Sequence, residues 1–253
     1  MSKNFSLKHP FVYMFKNTSK KSEVVSQILY GEKFKILSKQ KKWIKIKTSF
    51  DKYVGYIKNE YYSEYYNPTH KIFKLKTKIY KKKVNKKIYE TKFFLPFGSK
   101  ISIIKKNKNF IEYEKNKWIK KKDIKQIKHK EKNYLKIFKI FLKTKYIWGG
   151  KSFNGIDCSA LLQLFFFYNG IFYPRDTKDQ IKFLKDNIKR KIFKRGDIIF
   201  WKGHVAICIN NKQLIHAFGP RKKVVIMNIK KTILEIKNNS KINVIVKKNI
   251  NDY

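Results

Sequence analysis

One cysteine and two histidines in the C-terminal half have the residue types of a thiol acyl-transfer centre. Cys158 follows a loop with two glycines and opens the apolar run "CSALLQLFFFY", which indicates a buried helix. Unpaired backbone N–H groups and the positive end of the helix dipole stabilise an anion there, so we expect a lowered thiol pKa. Taken alone, Cys158 could also be a small core residue.

His204 and His216 lie on two successive strand-like runs that are joined around Asn210–Lys212. If these three residues form the turn, Ala206 pairs with His216, and His204 lies diagonally on the same face. A two-residue turn would instead send the imidazoles to opposite faces. On one face, one imidazole could act as the base for the Cys158 thiol and the other could fix its tautomer. The N–H of Cys158 could help to stabilise an oxyanion.

A metal site is the competing interpretation of the two histidines. No third ligand has a suitable spacing, so we expect neither a metal nor a cofactor. Cys208 lies on the same predicted face, beyond the histidines toward the turn, and is predicted to be a core residue. Two cysteines in 253 residues do not make a disulfide framework.

The chain around these residues has the pattern of an α+β domain, to which we assign residues 129–253. Apolar spacing predicts helices over 134–142, 158–168 and 178–184. Strand-like runs follow at 198–201, 204–209, 213–218 and 224–229. Helices that precede an antiparallel sheet are typical of the α+β class.

The first half contains an internal repeat of short strand-like runs. "LYGEKFKIL" (29–37) aligns with "PFGSKISII" (96–104), and the same offset places Trp43 over Phe110. Further on, "YVGYIK" resembles "KNKWIKK" after a shortened loop. Short strands with tight turns suggest two small β-barrels, over residues 1–66 and 67–128, with Asn-Pro-Thr as the linker.

The formal charge of +45 raises the question of nucleic-acid binding. Only four of the 62 basic residues are arginines, the usual readers of bases and phosphates, and the lysines are spread along the chain. We favour a compositional bias on the surface and expect no specific nucleic-acid partner, although salt-sensitive adhesion is expected in either case. No signal-like segment or membrane span is found in the sequence, so we expect a cytoplasmic monomer without a membrane partner.

Four segments together resemble the NlpC/P60 family of cell-wall cysteine peptidases. They are "YIWGGKSFNGIDCSALLQ", "PRDTKDQ", "RGDIIFWKGHVAICI" and "LIHAFG", in the family's order and with similar spacing. The two upstream repeats look like bacterial SH3-type barrels, which commonly accompany such domains. The resemblance implies a papain-like fold with Cys158 as nucleophile, His204 as base and His216 as its orienting partner.

The resemblance also implies a substrate and a way to select it. The reaction would be hydrolysis of the γ-D-glutamyl bond to a diamino acid in peptidoglycan stem peptides. SH3-type barrels in such relatives favour substrates with a free N-terminal L-alanine. The matching substrate-binding positions are Tyr146, Asp157, Ser159 and Arg175.

For several of these side chains a structural role competes with substrate binding. Asp157 could hold the substrate ammonium or cap the helix. Tyr146 could hydrogen-bond near the oxyanion or pack. For Arg175 and Asp176 we favour pinning the loop over contact with substrate carboxylates. Trp148 and Trp201 are expected to pack, and the acidic barrel residue that completes an amine pocket has three candidates: Glu60, Glu64 and Glu90.

Two other functions compete with this peptidase. The same thiol machinery could serve an amidase or acyltransferase that acts on another γ-glutamyl or lipid substrate. Alternatively, the protein could be a non-catalytic polyanion-binding module in which the barrels and lysines matter and the cysteine is incidental.

Overall fold

A computed structural model of the protein describes residues 3–83, 87–184 and 187–251. The chain divides into two compact units, Met1–Lys130 and Glu131–Tyr253. Each unit has its own sheets and its own apolar clusters, and each is described by itself below.

The N-terminal part of the first unit is a seven-stranded sheet in the spatial order β3-β2-β6-β5-β4-β1-β7. Its strands are β1 Phe5–Leu7, β2 Phe11–Phe15, β3 Val24–Leu29, β4 Lys33–Gln40, β5 Trp43–Thr48, β6 Val54–Lys58 and β7 Tyr62–Ser63. Alternation along β2 buries Val12 and Met14 and leaves the flanking aromatic residues half-buried. The inward-facing residues form an apolar core around Met14, Phe34 and Ile46.

The second half of this unit repeats the arrangement. Its strands are β8 His70–Ile72, β9 Lys76–Lys82, β10 Ile88–Pro96, β11 Lys100–Ile101, β12 Lys105–Lys106, β13 Phe110–Glu114, β14 Lys117–Lys120 and β15 Ile124–Gln126. They form two sheets, in the orders β10-β9-β14-β13-β12 and β11-β8-β15. A separate apolar cluster around Leu95, Ile101 and Ile119 fills this part.

The internal repeat predicted from the sequence has a structural counterpart. The order β3-β2-β6-β5-β4 of the first sheet corresponds to β10-β9-β14-β13-β12 of the second. Gly31 and Gly98, aligned in the sequence, both have positive φ, at 73° and 80°. Trp43 and Phe110, the second aligned pair, each open the corresponding strand, β5 or β13. The alignment therefore describes a real duplication of the fold.

The second unit contains the helices α1 Tyr134–Ile140, α2 Cys158–Asn169, α3 Thr177–Phe183 and α4 Ile229–Ser240. A short hairpin, β16 Lys151–Ser152 with β17 Gly155–Ile156, precedes α2. The main sheet has the order β21-β20-β19-β18-β22 and is antiparallel throughout. Its strands are β18 Asp197–Trp201, β19 His204–Cys208, β20 Gln213–Phe218, β21 Lys223–Asn228 and β22 Val246–Asn249.

Helix α2 lies at the centre of this unit. Every one of its residues is buried, which fits an apolar helix surrounded by protein rather than a surface helix. It packs against α1 and against the strands β19 and β20. An apolar cluster that includes Trp201, Cys208 and Ile236 joins residues of the main sheet to α4. The prediction that Cys208 is a core residue is confirmed, since it is fully buried there.

The predicted α+β class is confirmed, and the predicted helices and strands of the second unit are found within a few residues of their expected ends. In the second unit, the hairpin β16–β17, helix α4 and strand β22 were not predicted from the sequence. Helix α4 was missed because Ile229 was taken as the end of a strand. The residues that follow are rich in lysine and asparagine, which hides the spacing of Ile229, Ile233 and Ile236 on one helix face.

Candidate active site

Helix α2 starts at Cys158 because the residue before it caps the helix. Asp157 has an extended backbone, with φ −99° and ψ 175°, and its carboxylate accepts the N–H of Ala160 at 2.8 Å. This is the arrangement of an N-cap, which satisfies one of the free N–H groups in the first turn. At the other end Gly170 adopts the left-handed conformation that ends the helix. The local sequence thus fixes where the Cys158 side chain emerges.

The Asp157 carboxylate has several further donors inside the protein. It accepts the N–H of Gly149 at 2.9 Å and the hydroxyl of Ser159 at 3.1 Å. The Arg175 guanidinium binds it through two nitrogens, at 3.1 and 2.6 Å, and also donates to Ser159 at 2.7 Å. All three side chains are buried. The structure therefore brings together three of the four predicted substrate-binding residues, and it joins them to one another.

Gln180 extends this network, although it was not predicted from the sequence. It is fully buried, and its amide donates to the backbone oxygens of Ser159 and Pro174, both at 3.0 Å. The bonds tie α3 to the first turn of α2. The only sequence signal was its place at the end of the segment "PRDTKDQ", and a glutamine on a helix is usually exposed to solvent. Its contacts support the preference for a structural role of the loop that carries Arg175.

The Cys158 thiol lies against the strand that carries His204. Its sulfur is 3.9 Å from the carbonyl oxygen of Gly203, and backbone hydrogen bonding from Val205 also reaches it. These two residues are the chain neighbours of His204. A small cavity next to the thiol is lined by apolar residues of α1, α2 and β19 and by His216. The helix start and the histidine hairpin thus meet at the sulfur.

The expected lowering of the Cys158 pKa is wrong for the protein without substrate. Burial raises the thiol pKa to about 12, and the neighbouring Asp157 carboxylate adds to the effect. Arg175 and the backbone N–H groups of Ser159 and Val205 act in the opposite direction, but they are weaker than burial. The sequence showed the helix start but not the lack of water around the sulfur. Cys158 is therefore a neutral thiol at pH 7.

The two histidines form the pair that a three-residue turn predicts. Strands β19 and β20 pair with Ile207 opposite Ile215, a register that continues to Ala206 opposite His216. His204 Nε2 lies 2.9 Å from His216 Nδ1, so the predicted common face is confirmed. Burial lowers the pKa of His204 to about 4. Burial, His204 and Arg221 together hold the pKa of His216 well below its usual range. Both rings are neutral at pH 7.

The hydrogen-bond partners of His216 determine which nitrogens carry protons. His216 Nε2 lies 3.3 Å from the sulfur of Met227, and a thioether can only accept a hydrogen bond. His216 Nε2 must then carry the proton, so its Nδ1 accepts a hydrogen bond from His204 Nε2–H. This leaves Nδ1 of His204 as an unprotonated base. Met227 was not foreseen, because a methionine on a strand gives no sequence signal for this role.

The aromatic residues predicted near the site differ in their burial. Trp201 is fully buried, and its ring lies 5.5 Å from that of His204, as expected for a packing residue. Trp148 is 54% exposed, so its packing role stays a prediction. Burial raises the pKa of Tyr146 well above its usual range, and Cys158 and Asp157 act in the same direction. Its phenol therefore stays protonated and can donate a hydrogen bond.

Several other residues named in the sequence analysis have partners of their own or make no capping bond. Asp176 precedes α3, but its side chain makes no capping hydrogen bond. In the first unit, Glu64 pairs with Lys3 at 3.2 Å and Glu90 with Lys78 at 3.4 Å. Among the described residues, no group of three or more His, Cys, Asp and Glu side chains could hold a metal ion. No helix in the described part of the chain has the length and apolarity to cross a membrane.

Two family models match separate parts of the chain. Residues 143–240 match the NlpC/P60 family, and residues 14–60 match the bacterial dipeptidyl-peptidase SH3 domain. The chain is 26% identical over 238 residues to the γ-D-glutamyl-L-lysine dipeptidyl-peptidase of Bacillus subtilis, covering 84% of this chain and 78% of that relative. It is 36% identical over 77 residues to dipeptidyl-peptidase 6 of Lysinibacillus sphaericus, but this covers only 30% of this chain and 28% of that relative.

A solved structure shows the same fold. The crystal structure of an NlpC/P60 family protein from Bacillus cereus superposes with a TM-score of 0.74, over 89% of this chain and 94% of that one, at 17% identity. This likeness shows a shared fold, and the two domain matches indicate an NlpC/P60 domain that follows a bacterial dipeptidyl-peptidase SH3 domain. The NlpC/P60 relatives indicate a cysteine-type hydrolase.

Proposed function

We propose that the protein hydrolyses the bond between the γ-carboxyl of D-glutamate and a diamino acid in peptidoglycan-derived stem peptides. The observation that carries this proposal is the position of the Cys158 thiol, 3.9 Å from the carbonyl oxygen of Gly203, the chain neighbour of His204, whose ring pairs with that of His216. The relative that aligns over most of the chain is named a γ-D-glutamyl-L-lysine dipeptidyl-peptidase, which supports the choice of bond.

The chemistry follows from the protonation states of the neutral groups. Nδ1 of His204 removes the proton from the Cys158 thiol as the sulfur attacks the γ-carbonyl carbon. The carbon–sulfur bond forms and the carbonyl oxygen becomes an oxyanion, which the N–H of Cys158 and the protonated phenol of Tyr146 can stabilise. The imidazolium then returns the proton to the leaving amine as the C–N bond breaks. His204 then takes a proton from the water that attacks the thioester, and returns it to the Cys158 sulfur as the carbon–sulfur bond breaks.

The raised thiol pKa has a consequence for the first step. With a thiol pKa of about 12 and a His204 pKa of about 4, a thiolate–imidazolium pair is unfavourable in the resting protein. Proton transfer must accompany the attack, as in general base catalysis. His216 stabilises the imidazolium of His204 through the hydrogen bond to its Nε2–H.

We propose further that the substrate has a free N-terminal L-alanine. A dipeptidyl-peptidase removes two residues from an amino end, and the relatives with this name support such selectivity. Asp157 already accepts two guanidinium hydrogen bonds and two backbone N–H groups. We therefore assign Asp157, Ser159 and Arg175 to holding the site together. The N-terminal ammonium of the substrate would then bind to another acidic group.

The location of the reaction belongs to the same proposal. We place it in the cytoplasm, where short peptides released from the wall would be the substrate. Cell fractionation with an antibody against the protein tests this placement. Recovery in the medium or with the wall would overturn it without affecting the assignment of the bond.

The direct test of the reaction uses L-Ala-γ-D-Glu-diaminopimelate and follows the release of free diaminopimelate. Cys158→Ala should lower the rate by about 10⁴ or more, as for other nucleophiles. Cys208→Ala is the matched control, because it removes the second buried thiol from the core without touching the site. Loss of activity in the control alone, or more than a tenth of the activity in Cys158→Ala, would contradict the mechanism.

A further inference from the structure

The outer face of the first barrel carries a row of aromatic rings. Phe11, Tyr13 and Phe15 alternate along β2 with the buried core residues and are themselves half-buried. Their ring centroids are 5.9 and 6.5 Å apart, and Phe15 lies 5.4 Å from Trp43 of β5. The row thus continues across the sheet, on the side away from the barrel core. We call these four residues the aromatic row.

Lysines are interleaved with this row by the strand register. Lys45 pairs with Tyr56, and its Nζ lies 5.7 Å from the centre of that ring. Lys58 pairs directly with Trp43 on the neighbouring strand. A groove of about 660 Å³ runs along β2, and its lining includes Lys20 and Lys58 beside the aromatic rings. Flat apolar surfaces and positive charges therefore share one groove.

Two of these lysines repel each other. Lys20 is the largest cause of a lowered pKa at Lys58, and Lys42 lowers it further. Glu60 raises the pKa of Lys58 but does not outweigh the two ammonium groups. Like charges at such short range are unfavourable, and a bound anion would relieve their repulsion. In the lining of the groove Lys20 and Lys58 outnumber the carboxylate of Glu60, so the groove carries a net positive charge.

The groove suits a ligand that combines planar groups with regularly spaced negative charges. We propose that the aromatic row and Lys20, Lys45 and Lys58 bind single-stranded nucleic acid without sequence preference. Base stacking on aromatic side chains, combined with a basic groove for the phosphates, is the general mode of such binding. A neutral glycan would leave the lysine repulsion unrelieved. A flat anionic membrane would not reach half-buried rings that lie along a groove.

The first experiment separates stacking from simple attraction of charge. Fluorescence anisotropy of the full chain is measured with fluorescein-labelled oligothymidylate of about 12 nucleotides, within the usual site size, and with an abasic strand of the same length and charge. We expect at least about fivefold tighter binding of the thymidylate, the minimum for one stacked base. Equal affinity for both strands would show that only the net charge acts, and would overturn the proposal.

Substitutions then locate the binding. Phe11→Ser with Tyr13→Ser should remove the preference for thymidylate over the abasic strand, while Tyr65→Ser, a 94% exposed aromatic control, should keep it. Lys20→Ala with Lys58→Ala should reduce the slope of log K against log salt by about 1.4, or 0.7 for each lost phosphate contact. Lys105→Ala with Lys106→Ala, an exposed pair in the second barrel, serves as the charge-matched control.

If the aromatic variants do not fold, the lysine variants still test the proposal. Their four lysines are at the surface, so their replacement should not disturb folding. Equal losses in Lys20→Ala/Lys58→Ala and in Lys105→Ala/Lys106→Ala would overturn the proposed site. So would tighter binding to phosphatidylglycerol vesicles than to the oligonucleotide, with the same dependence on Phe11 and Tyr13. Hydrolysis of the stem peptide should be unchanged in every one of these variants, since none of the substituted residues is assigned to the reaction or to the binding of the amino end.

Discussion

At the scale of single residues, the chemistry of the site depends on where protons are held. Met227 can only accept, which orients His216 and leaves Nδ1 of His204 free to act as a base. A cysteine and two histidines could be found by spacing in the sequence. Their protonation states could not, because these depend on burial and on a methionine two strands away from His204.

The first prediction concerns the second histidine. His204→Ala should reduce kcat/KM by about 10⁴, since it removes the base. His216→Gln should cost only about tenfold, the worth of one imperfect hydrogen bond, because its amide oxygen can still accept from His204. His216→Leu offers no acceptor and should be clearly worse than His216→Gln. Steady-state kinetics on the stem peptide decide the order, and a His216→Leu enzyme as active as His216→Gln would disprove the tautomer assignment.

The second prediction concerns pH. Because the pKa of His204 is lowered to about 4 in the folded protein, its base form is lost only as the pH falls through that value. In the unfolded chain the ring takes up its proton near pH 6.5. The unfolded state therefore binds more protons between about pH 6.5 and 4. The free energy of unfolding decreases as the pH is lowered through that window. Urea denaturation at a series of pH values should show this fall, and His204→Gln should make it smaller.

The protonation state of Cys158 predicts how its thiol reacts. A pKa of about 12 leaves almost no thiolate on Cys158 at pH 7. Alkylation by iodoacetamide in the absence of substrate should be slow and should rise about tenfold for each pH unit between neutral and mildly alkaline pH. Mass spectrometry of the modified Cys158 peptide measures the rate. A fast reaction that is independent of pH would mean a resting thiolate, as the helix start alone had suggested.

At the scale of elements, the sequence was informative where one periodicity dominates. Helix α2 was found because its residues are almost all apolar, and the hairpin β19–β20 because its turn length fixed which side chains share a face. Helix α4 was not found because its exposed face is rich in lysine and asparagine, and β22 was not found because it is a strand of only four residues that is defined by its pairing with β18. Nor could the sequence show that Arg175 is bonded to Asp157 rather than exposed to a ligand.

The fourth prediction follows from that buried ion pair. Arg175→Met leaves the Asp157 carboxylate buried without its cation, and should lower the free energy of unfolding by about 3–5 kcal/mol. Arg175→Lys should recover only part of this, because an ammonium cannot make the two-pronged contact. Arg221→Met is the control: its pair with Glu235 is at the surface and should contribute less than about 1 kcal/mol. Chemical denaturation measures all three, and equal effects of Arg175→Met and Arg221→Met would contradict the structural role.

At the scale of the whole molecule, the chain combines a duplicated barrel unit with a catalytic unit. Each has separate apolar clusters, in the first unit around Phe34 and Leu95 and in the second around Trp201. Units of about 120 residues with their own cores are within the usual range for independent domains. We expect the fragments 1–130 and 131–253 to fold separately, each with a cooperative thermal transition by circular dichroism.

The last prediction uses these fragments to ask where the choice of substrate is made. If the barrels supply the recognition of the amino end, the full chain should cleave the free-amine stem peptide about 10–100-fold faster than its N-acetylated form, the equivalent of one charge-assisted hydrogen bond. The fragment 131–253 should still hydrolyse the bond, because Cys158, His204 and His216 all belong to it. It should, however, hydrolyse the two peptides at similar rates.

Measuring kcat/KM for both peptides with both proteins separates the possibilities. A fragment that discriminates as strongly as the full chain would place the ammonium pocket inside the catalytic unit. Equal rates on both peptides with the full chain would mean that the enzyme does not recognise the N-terminal amine of its substrate. The barrels would then have a different function.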